Sequence, residues 1–301
     1  IPVVLIFGPT GVGKTDLLLS PVFNDCEIIN ADSMQVYRGM DIGTAKPDPE
    51  FLQKISHHLI GIRDPSEQFH VGEFVEAADV AVKKIHSAGK TAVVCGGTGF
   101  YFKNFIYGLP DAPPSDSGVR KSLQDEFSET GARGMFRRLE LVDPVSAGRI
   151  NPNDHYRILR ALEVHAVSGK PLSSFRVPDK KRDIYRICLI GLTRDRPELY
   201  KRINERVDDM IAGGLEAEFN RIVSAGYTEN DPGMRGIGYK EFFIGKKEGL
   251  DPGRIAELIK RNSRRYAKRQ ITYFRQLSDI NWFSPEDIGG ISGLITYFLK
   301  K

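Results

Sequence analysis

At 301 residues, with 41% hydrophobic and 27% charged side chains, the chain has an ordinary globular composition and exceeds the usual single-domain size, which predicts one large α/β core with a subdomain. No apolar run reaches the roughly 18 residues of a membrane span, and the apolar opening Ile1–Phe7 lacks the length, basic flank and cleavage site of a secretory signal. Cys26, Cys95 and Cys188 form no C-x-x-C pair, which argues against a disulfide framework or a zinc site and for a reducing cytoplasm, and the formal charge of +4 is mild.

Short β-rich runs alternate with helical patterns, predicting a P-loop NTPase-like α/β fold: an open parallel sheet with flanking helices. The first strand, Val3–Phe7, runs directly into Gly8-Pro9-Thr10-Gly11-Val12-Gly13-Lys14-Thr15, which satisfies G-x-x-x-x-G-K-[ST] and opens a predicted helix. Its glycines let the backbone curl so that successive N–H groups point inward, Lys14 adds a point charge, and the Thr15 hydroxyl can ligate magnesium. Such a loop binds a diphosphate or triphosphate. It leaves kinases, nucleotide hydrolases and diphosphate-releasing transferases all open, because it handles charge rather than choosing the nucleophile.

Strands at Glu27–Asn30 and Thr91–Cys95 come next. Ligands of open parallel sheets gather beyond the carboxyl ends of the strands, which singles out Ala31-Asp32-Ser33-Met34-Gln35 and Gly96-Gly97-Thr98-Gly99-Phe100-Tyr101. Asp32 then lies beside the phosphate site, as acceptor of a nucleophile's proton or holder of a magnesium water shell; the plainer reading is that it caps the next helix. The glycine turn is either a tight connection or a place where substrate approaches the backbone, with Thr98 as a hydroxyl contact. His57 and His58 are adjacent and share no face, which argues against a metal pair. Cys95, Tyr101, Phe102 and Phe105 read as core.

After the Pro-rich Leu109–Pro114 the pattern turns helical, so residues 1–110 and 183–301 are expected to form the core and 111–182 an inserted all-helical subdomain. Within the insertion, Arg157 and Arg160 fall three apart on one helical face, where a salt bridge such as one to Glu163 is the plain explanation. Beyond the fourth strand, Ile184–Leu192, the run Met234–Glu241 sets Arg235, Tyr239 and Lys240 around two glycines, which suits a phosphate or a splayed base as well as a surface turn. Arg254–Arg275 holds eight Lys/Arg against Glu257, a solvated helix face or a partner for a polyanion, and a short last strand falls at Ile280–Phe283.

Taken in order, these motifs resemble the tRNA dimethylallyltransferase (tRNA isopentenyltransferase) family in its bacterial form. The resemblance is carried by the P-loop, by Asp32-Ser33-Met34-Gln35-Val36-Tyr37-Arg38-Gly39-Met40-Asp41-Ile42-Gly43-Thr44-Ala45-Lys46-Pro47, and by Gly96–Tyr101, Tyr156–Val164, Arg235–Lys240 and Ala267–Thr272. It spans about Val3 to Phe283, and the long second block is the most specific, since other P-loop enzymes lack it. The sequence has no Cys/His cluster of the zinc-finger type found in eukaryotic members, and its start at Ile1 reads as a trimmed or processed chain.

The resemblance implies that dimethylallyl diphosphate binds with Mg2+ in the loop formed by Gly8, Thr10, Gly11, Val12, Gly13, Lys14 and Thr15. The acceptor is the exocyclic N6 amine of the adenosine 3′-adjacent to the anticodon, flipped from its loop into the site. Asp32 is then the general base, Thr98 contacts the adenosine, and Lys14 stabilises departing diphosphate. The insertion is implied to grip the tRNA anticodon stem-loop through Arg120, Tyr156, Arg157 and Arg160. Asp32, Ser33, Met34, Gln35, Thr98, Arg235, Gly238, Tyr239 and Lys240 are implied tRNA contacts on the core of a cytoplasmic, monomeric enzyme. Three other readings compete: an isopentenyltransferase acting on free adenine nucleotides, a P-loop small-metabolite kinase, and a non-catalytic RNA-binding protein.

Overall fold

Pro2–Phe7 (β1) is apolar on both faces, the pattern of a strand covered from both sides. In the computed structural model, which describes residues 1–301, it lies inside a six-stranded, all-parallel sheet. Lys14–Leu18 (α1) follows, then Cys26–Asn30 (β2), Pro49–Lys54 (α2), His57–His58 (β3), Val71–Ser87 (α3), Thr91–Gly96 (β4) and Gly99–Tyr107 (α4). The insertion contributes Ser117–Val142 (α5), Pro144–Ala147 (α6) and His155–Ser168 (α7). The chain then forms Arg186–Leu192 (β5), Arg196–Ala212 (α8), Leu215–Ser224 (α9), Lys240–Glu248 (α10), Pro252–Phe274 (α11), Asn281–Phe283 (β6) and Ile288–Lys300 (α12).

The strand order is β3-β2-β4-β1-β5-β6. Val4 of β1 is in register with Val93 of β4 and Cys188 of β5, so the carboxyl ends of β4, β1 and β5 open side by side. Phe7 stacks on Phe274 at 4.6 Å and meets Phe102 edge-on at 5.2 Å, joining β1 to α11 and α4. Tyr101, Phe102, Phe105 and Cys95 are buried, as their apolar spacing predicts.

Two departures from the sequence expectation have local causes. β3 is only two residues long, paired with Ile28 and Ile29, and too short to display an alternation. β5 begins at Arg186 rather than Ile184, because Ile184 is exposed while Tyr185 turns inward to donate to Asp79 Oδ1 at 2.8 Å.

The chain forms two units, Ile1–Ile106 with Arg182–Lys301, and Tyr107–Lys181. The division falls at 106 and 181 rather than at 110 and 182, at the last turn of α4. Each unit has its own core: Leu123, Met135, Leu139, Ile158 and Leu162 pack together in the second. There α5 breaks at Gly131, whose φ of 69° only glycine adopts without strain, and α7 ends on Gly169 in the left-handed region. No helix is long and apolar enough to cross a membrane.

Candidate active site

The loop after β1 takes its form from Gly11 and Gly13, at φ 78° and 109°, and from Gly8, where a Cβ would lie 2.8 Å from the Leu192 carbonyl. Lys14 Nζ donates to the carbonyls of Gly8 and Pro9, both at 2.9 Å, so the ammonium is curled into its own loop. Burial pulls its pKa down to about 8, against the opposing pull of the neighbouring Cys95 and Asp32. The Cys95 thiol is itself pushed up to about 11 by burial.

The loop is gripped by side chains from far along the sequence. Gln270 of α11, itself buried, accepts from Thr10 N at 2.9 Å and donates from Nε2 to Gly97 O at 2.8 Å, tying the ends of β1 and β4 together. From α8, Arg206 donates to Thr10 Oγ1 at 3.1 Å and Arg202 Nε to Gly11 O at 3.1 Å, while Arg194 Nε reaches Val12 O at 3.3 Å. Burial pulls the Arg206 guanidinium below its usual value, opposed by the charge of Asp32. The sequence reading missed Gln270, Arg194, Arg202 and Arg206. The available signal was the i, i+4 spacing of Arg202 and Arg206 on the helix that follows β5, the strand beside β1.

Asp32 caps no helix, since the chain after β2 stays irregular until α2. Its Oδ1 instead accepts from Met34 N at 2.9 Å in an Asx turn, and its Oδ2 takes no hydrogen bond from the protein and is open to solvent. Its charge is felt by Lys14 of the phosphate loop, by Arg206 of α8 and by Tyr266 of α11. Thr98 Oγ1 accepts from Ser33 N at 3.0 Å and lies 3.3 Å from Ser33 Oγ, pinning the Asp32 turn to the turn after β4. Tyr266 of α11 lies near Thr98 and Gln270; burial pushes its phenol far above the usual range.

Tyr239 does not lie on the surface, as an RNA contact would require. It is fully buried and donates to Glu218 Oε1 at 2.6 Å, and its ring sits where a Cβ on Gly43 would come within 2.5 Å. Gly238 is buried too: at φ 102° it donates to Glu241 Oε2 at 2.8 Å. The composition of 234–241 pointed outward because its buried acceptors, Glu218 and Glu241, were not legible as such. Arg235 is exposed and Lys240 half-buried, while Met34 packs against Gly236.

In the second unit, Glu163 is fully buried and accepts from Ser115 Oγ, Asp116 N, Arg120 Nη1 and Arg160 Nη1. Burial alone would raise its pKa, but these bonds outweigh it and hold the carboxyl below its usual value. Arg160 therefore makes the predicted bridge, whereas Arg157 pairs with Asp154 at 3.2 Å and remains exposed. Arg120 lies over the Tyr156 ring at 4.8 Å, and Tyr156 is 57% exposed. On α11, Arg261, Arg265 and Lys268 recur at helical spacing along one exposed face, continued by Arg275 at the helix end.

A family model described as IPP transferase matches residues 35–277. The chain belongs to the IPP transferase family. It is 45% identical to tRNA dimethylallyltransferase 2 of Geotalea uraniireducens (strain Rf4), covering 99% of this chain and 97% of the relative. Among solved structures it is similar to the full-length tRNA isopentenylpyrophosphate transferase of Bacillus halodurans, with a TM-score of 0.72, 36% identity, and 99% and 97% of the two chains covered. It is also similar to a eukaryotic dimethylallyltransferase acting on tRNA, with a TM-score of 0.80, 27% identity, and 98% and 77% covered. The family match begins at Gln35, beyond the P-loop, and so rests on the block after Asp32 and on the later motifs rather than on a phosphate loop that other folds share.

Proposed function

We propose that this IPP transferase moves the dimethylallyl group of dimethylallyl diphosphate onto the N6 amine of the adenosine 3′-adjacent to the anticodon in tRNA and releases diphosphate. The observation that carries this reading is the solvent-open oxygen of the Asp32 carboxylate, whose charge is felt by Lys14 of the phosphate loop, on a turn that Thr98 pins from the neighbouring strand. A base beside a phosphate cradle suits attack by a neutral amine on a carbon whose leaving group is diphosphate. The names borne by the relatives supply the prenyl group and the tRNA.

In the proposed step the amine nitrogen forms a bond to the prenyl methylene carbon as the bond from that carbon to oxygen breaks, and the electron pair leaves with diphosphate. Asp32 Oδ2 takes the amine proton, while its Oδ1 stays bonded to Met34 N, so the base is held as it works. Lys14 leaves the Gly8 and Pro9 carbonyls for the diphosphate oxygens, and Arg206 adds a second positive charge at Thr10. Magnesium fits the donors present: Thr15 is exposed on the first turn of α1, and the ion is commonly held by one or two protein groups with substrate phosphate oxygens and waters. When bound it would neutralise charge on the departing diphosphate. Exposed Tyr156 and Arg157, with the basic face of α11, are the groups we assign to the RNA. Three free, buried cysteines support a reducing cytoplasm as the compartment.

Incubation with magnesium, radiolabelled dimethylallyl diphosphate and either unmodified tRNA or AMP, followed by nucleoside analysis, tests the proposal. Label on the adenosine beside the anticodon is the expected result. Label on AMP alone would replace tRNA by a free nucleotide as acceptor, and no transfer to either would return the P-loop to a kinase reading.

A further inference from the structure

The turn at Asp41-Ile42-Gly43 presents three successive backbone N–H groups, a small concavity of the kind that binds anions. Its occupant is a side chain of the protein. Glu218 of α9, buried in the interior, accepts from Asp41 N at 2.9 Å, from Ile42 N at 3.0 Å and from Gly43 N at 3.0 Å, and takes the Tyr239 hydroxyl as a fourth donor at 2.6 Å. Next to this clasp the Thr44 and Ala45 carbonyls both receive the Gln35 side-chain amide, at 3.3 and 3.0 Å. Two carbonyl acceptors fix which end of that amide is nitrogen, since an oxygen could bond neither. Gln35 Oε1 then takes no hydrogen bond from the protein and is open to solvent, one residue beyond the Met34 N–H that holds Asp32.

We propose that Glu218, assisted by Tyr239, is a positioning residue that sets Gln35 to read one hydrogen-bond donor, an exocyclic amine of a base beside the acceptor adenosine. This rests on the proposed RNA substrate. A carboxylate is required because all four of its partners are donors: in Glu218→Gln the amide nitrogen must face two of them, and backbone N–H groups cannot reverse. The clasp then opens, the Thr44 and Ala45 carbonyls move, and the Gln35 amide is free to flip. Neither Glu218 nor Tyr239 touches the phosphate loop, so the effect is confined to the RNA side of the reaction.

The test uses anticodon stem-loops lacking one exocyclic amine at a time at positions other than the acceptor. The wild-type protein is expected to show a KM for RNA raised about tenfold at one position, the worth of a single hydrogen bond to an oriented partner. Gln35→Ala and Glu218→Gln should be indifferent to the amine at that position, with the KM for dimethylallyl diphosphate unchanged in both. Tyr239→Phe, which keeps the ring under Gly43 and removes one donor, should lose part of the discrimination and serves if Glu218→Gln fails to fold. If Glu218→Gln and Tyr239→Phe discriminate like the wild type, or the wild type responds to no amine, the inference is overturned while RNA prenylation stands. A joint rise in both KM values with a lowered melting temperature would reduce Glu218 to a structural residue. No transfer to any stem-loop by the wild type would overturn the proposed substrate and this inference together.

Discussion

Replacing Gln270 by Leu keeps roughly the same volume and removes both hydrogen bonds by which this side chain joins Thr10 N to Gly97 O. Each bond contributes about 1 kcal/mol net, and stranding a buried backbone group costs about 1–3 kcal/mol. Discounted for the access of water to the loop, the sum is about 3 kcal/mol. For a core of this size that lowers Tm by roughly 6–12 °C. Urea titration should show the midpoint falling with the slope unchanged, and the KM for dimethylallyl diphosphate should rise about tenfold as Thr10 loses its anchor. Gln270→Glu is the informative companion: it can still accept from Thr10 N but sets a second acceptor against Gly97 O, so it should be at least as unstable as the leucine variant near neutral pH. If Gln270→Leu stays within about 0.5 kcal/mol of the wild type with an unchanged KM, the bridge does not hold the loop, and the account of the site built on it is wrong.

Asp32→Asn keeps an oxygen for Met34 N and loses the proposed base, so RNA affinity should hold while prenyl transfer in single-turnover assays falls by about 10²–10⁴. Because burial depresses Lys14 to about 8, the apo protein loses this charge as pH rises through that value; isothermal titration should show diphosphate affinity weakening above it. The same depression means that the folded chain binds fewer protons than the unfolded one from about pH 8 to 10.5, so this group's contribution to stability rises with pH across that window. Glu163→Gln leaves Arg120 and Arg160 facing a neutral amide, and unfolding followed by circular dichroism should show a loss of about 2–3 kcal/mol near neutral pH. Since the Glu163 carboxyl is held below its ordinary value, its stabilisation is present above the usual carboxylate range and fades as pH falls through the depressed value, where wild type and variant should converge.

What could be read from the sequence was what is local. A six-residue apolar strand followed by eight residues of phosphate loop declares itself, as do Asp32 and Thr98 at strand ends. The grip on that loop could not be read, because Arg206 and Gln270 meet Thr10 across 196 and 260 residues, a meeting decided only when β1 pairs with β5 and α11 lies along the sheet. Tyr239 was misread for a related reason. An aromatic between glycines and cations looks like a surface recognition element until Glu218, placed 21 residues before it, turns out to be buried beneath the same turn. Arg160, whose partner lies three residues on in the same helix, was correctly paired from spacing alone.

The stretch 107–181 leaves the sheet after α4 and returns before β5, and the two points of departure are one hydrogen bond apart: Arg182 N donates to Ile106 O at 2.9 Å. The guanidinium of Arg182 and the hydroxyl of Tyr185 both close on Asp79, which riveted the return to α3. Ends that meet in this way make the stretch a cassette. A short turn from Ile106 to Arg182 closes the gap with little entropic penalty, so the remaining chain is suited to expression without it, and a stretch cut from another member can be spliced between the same two residues. Exchange at this seam would transplant whatever the helices recognise while leaving the phosphate chemistry untouched.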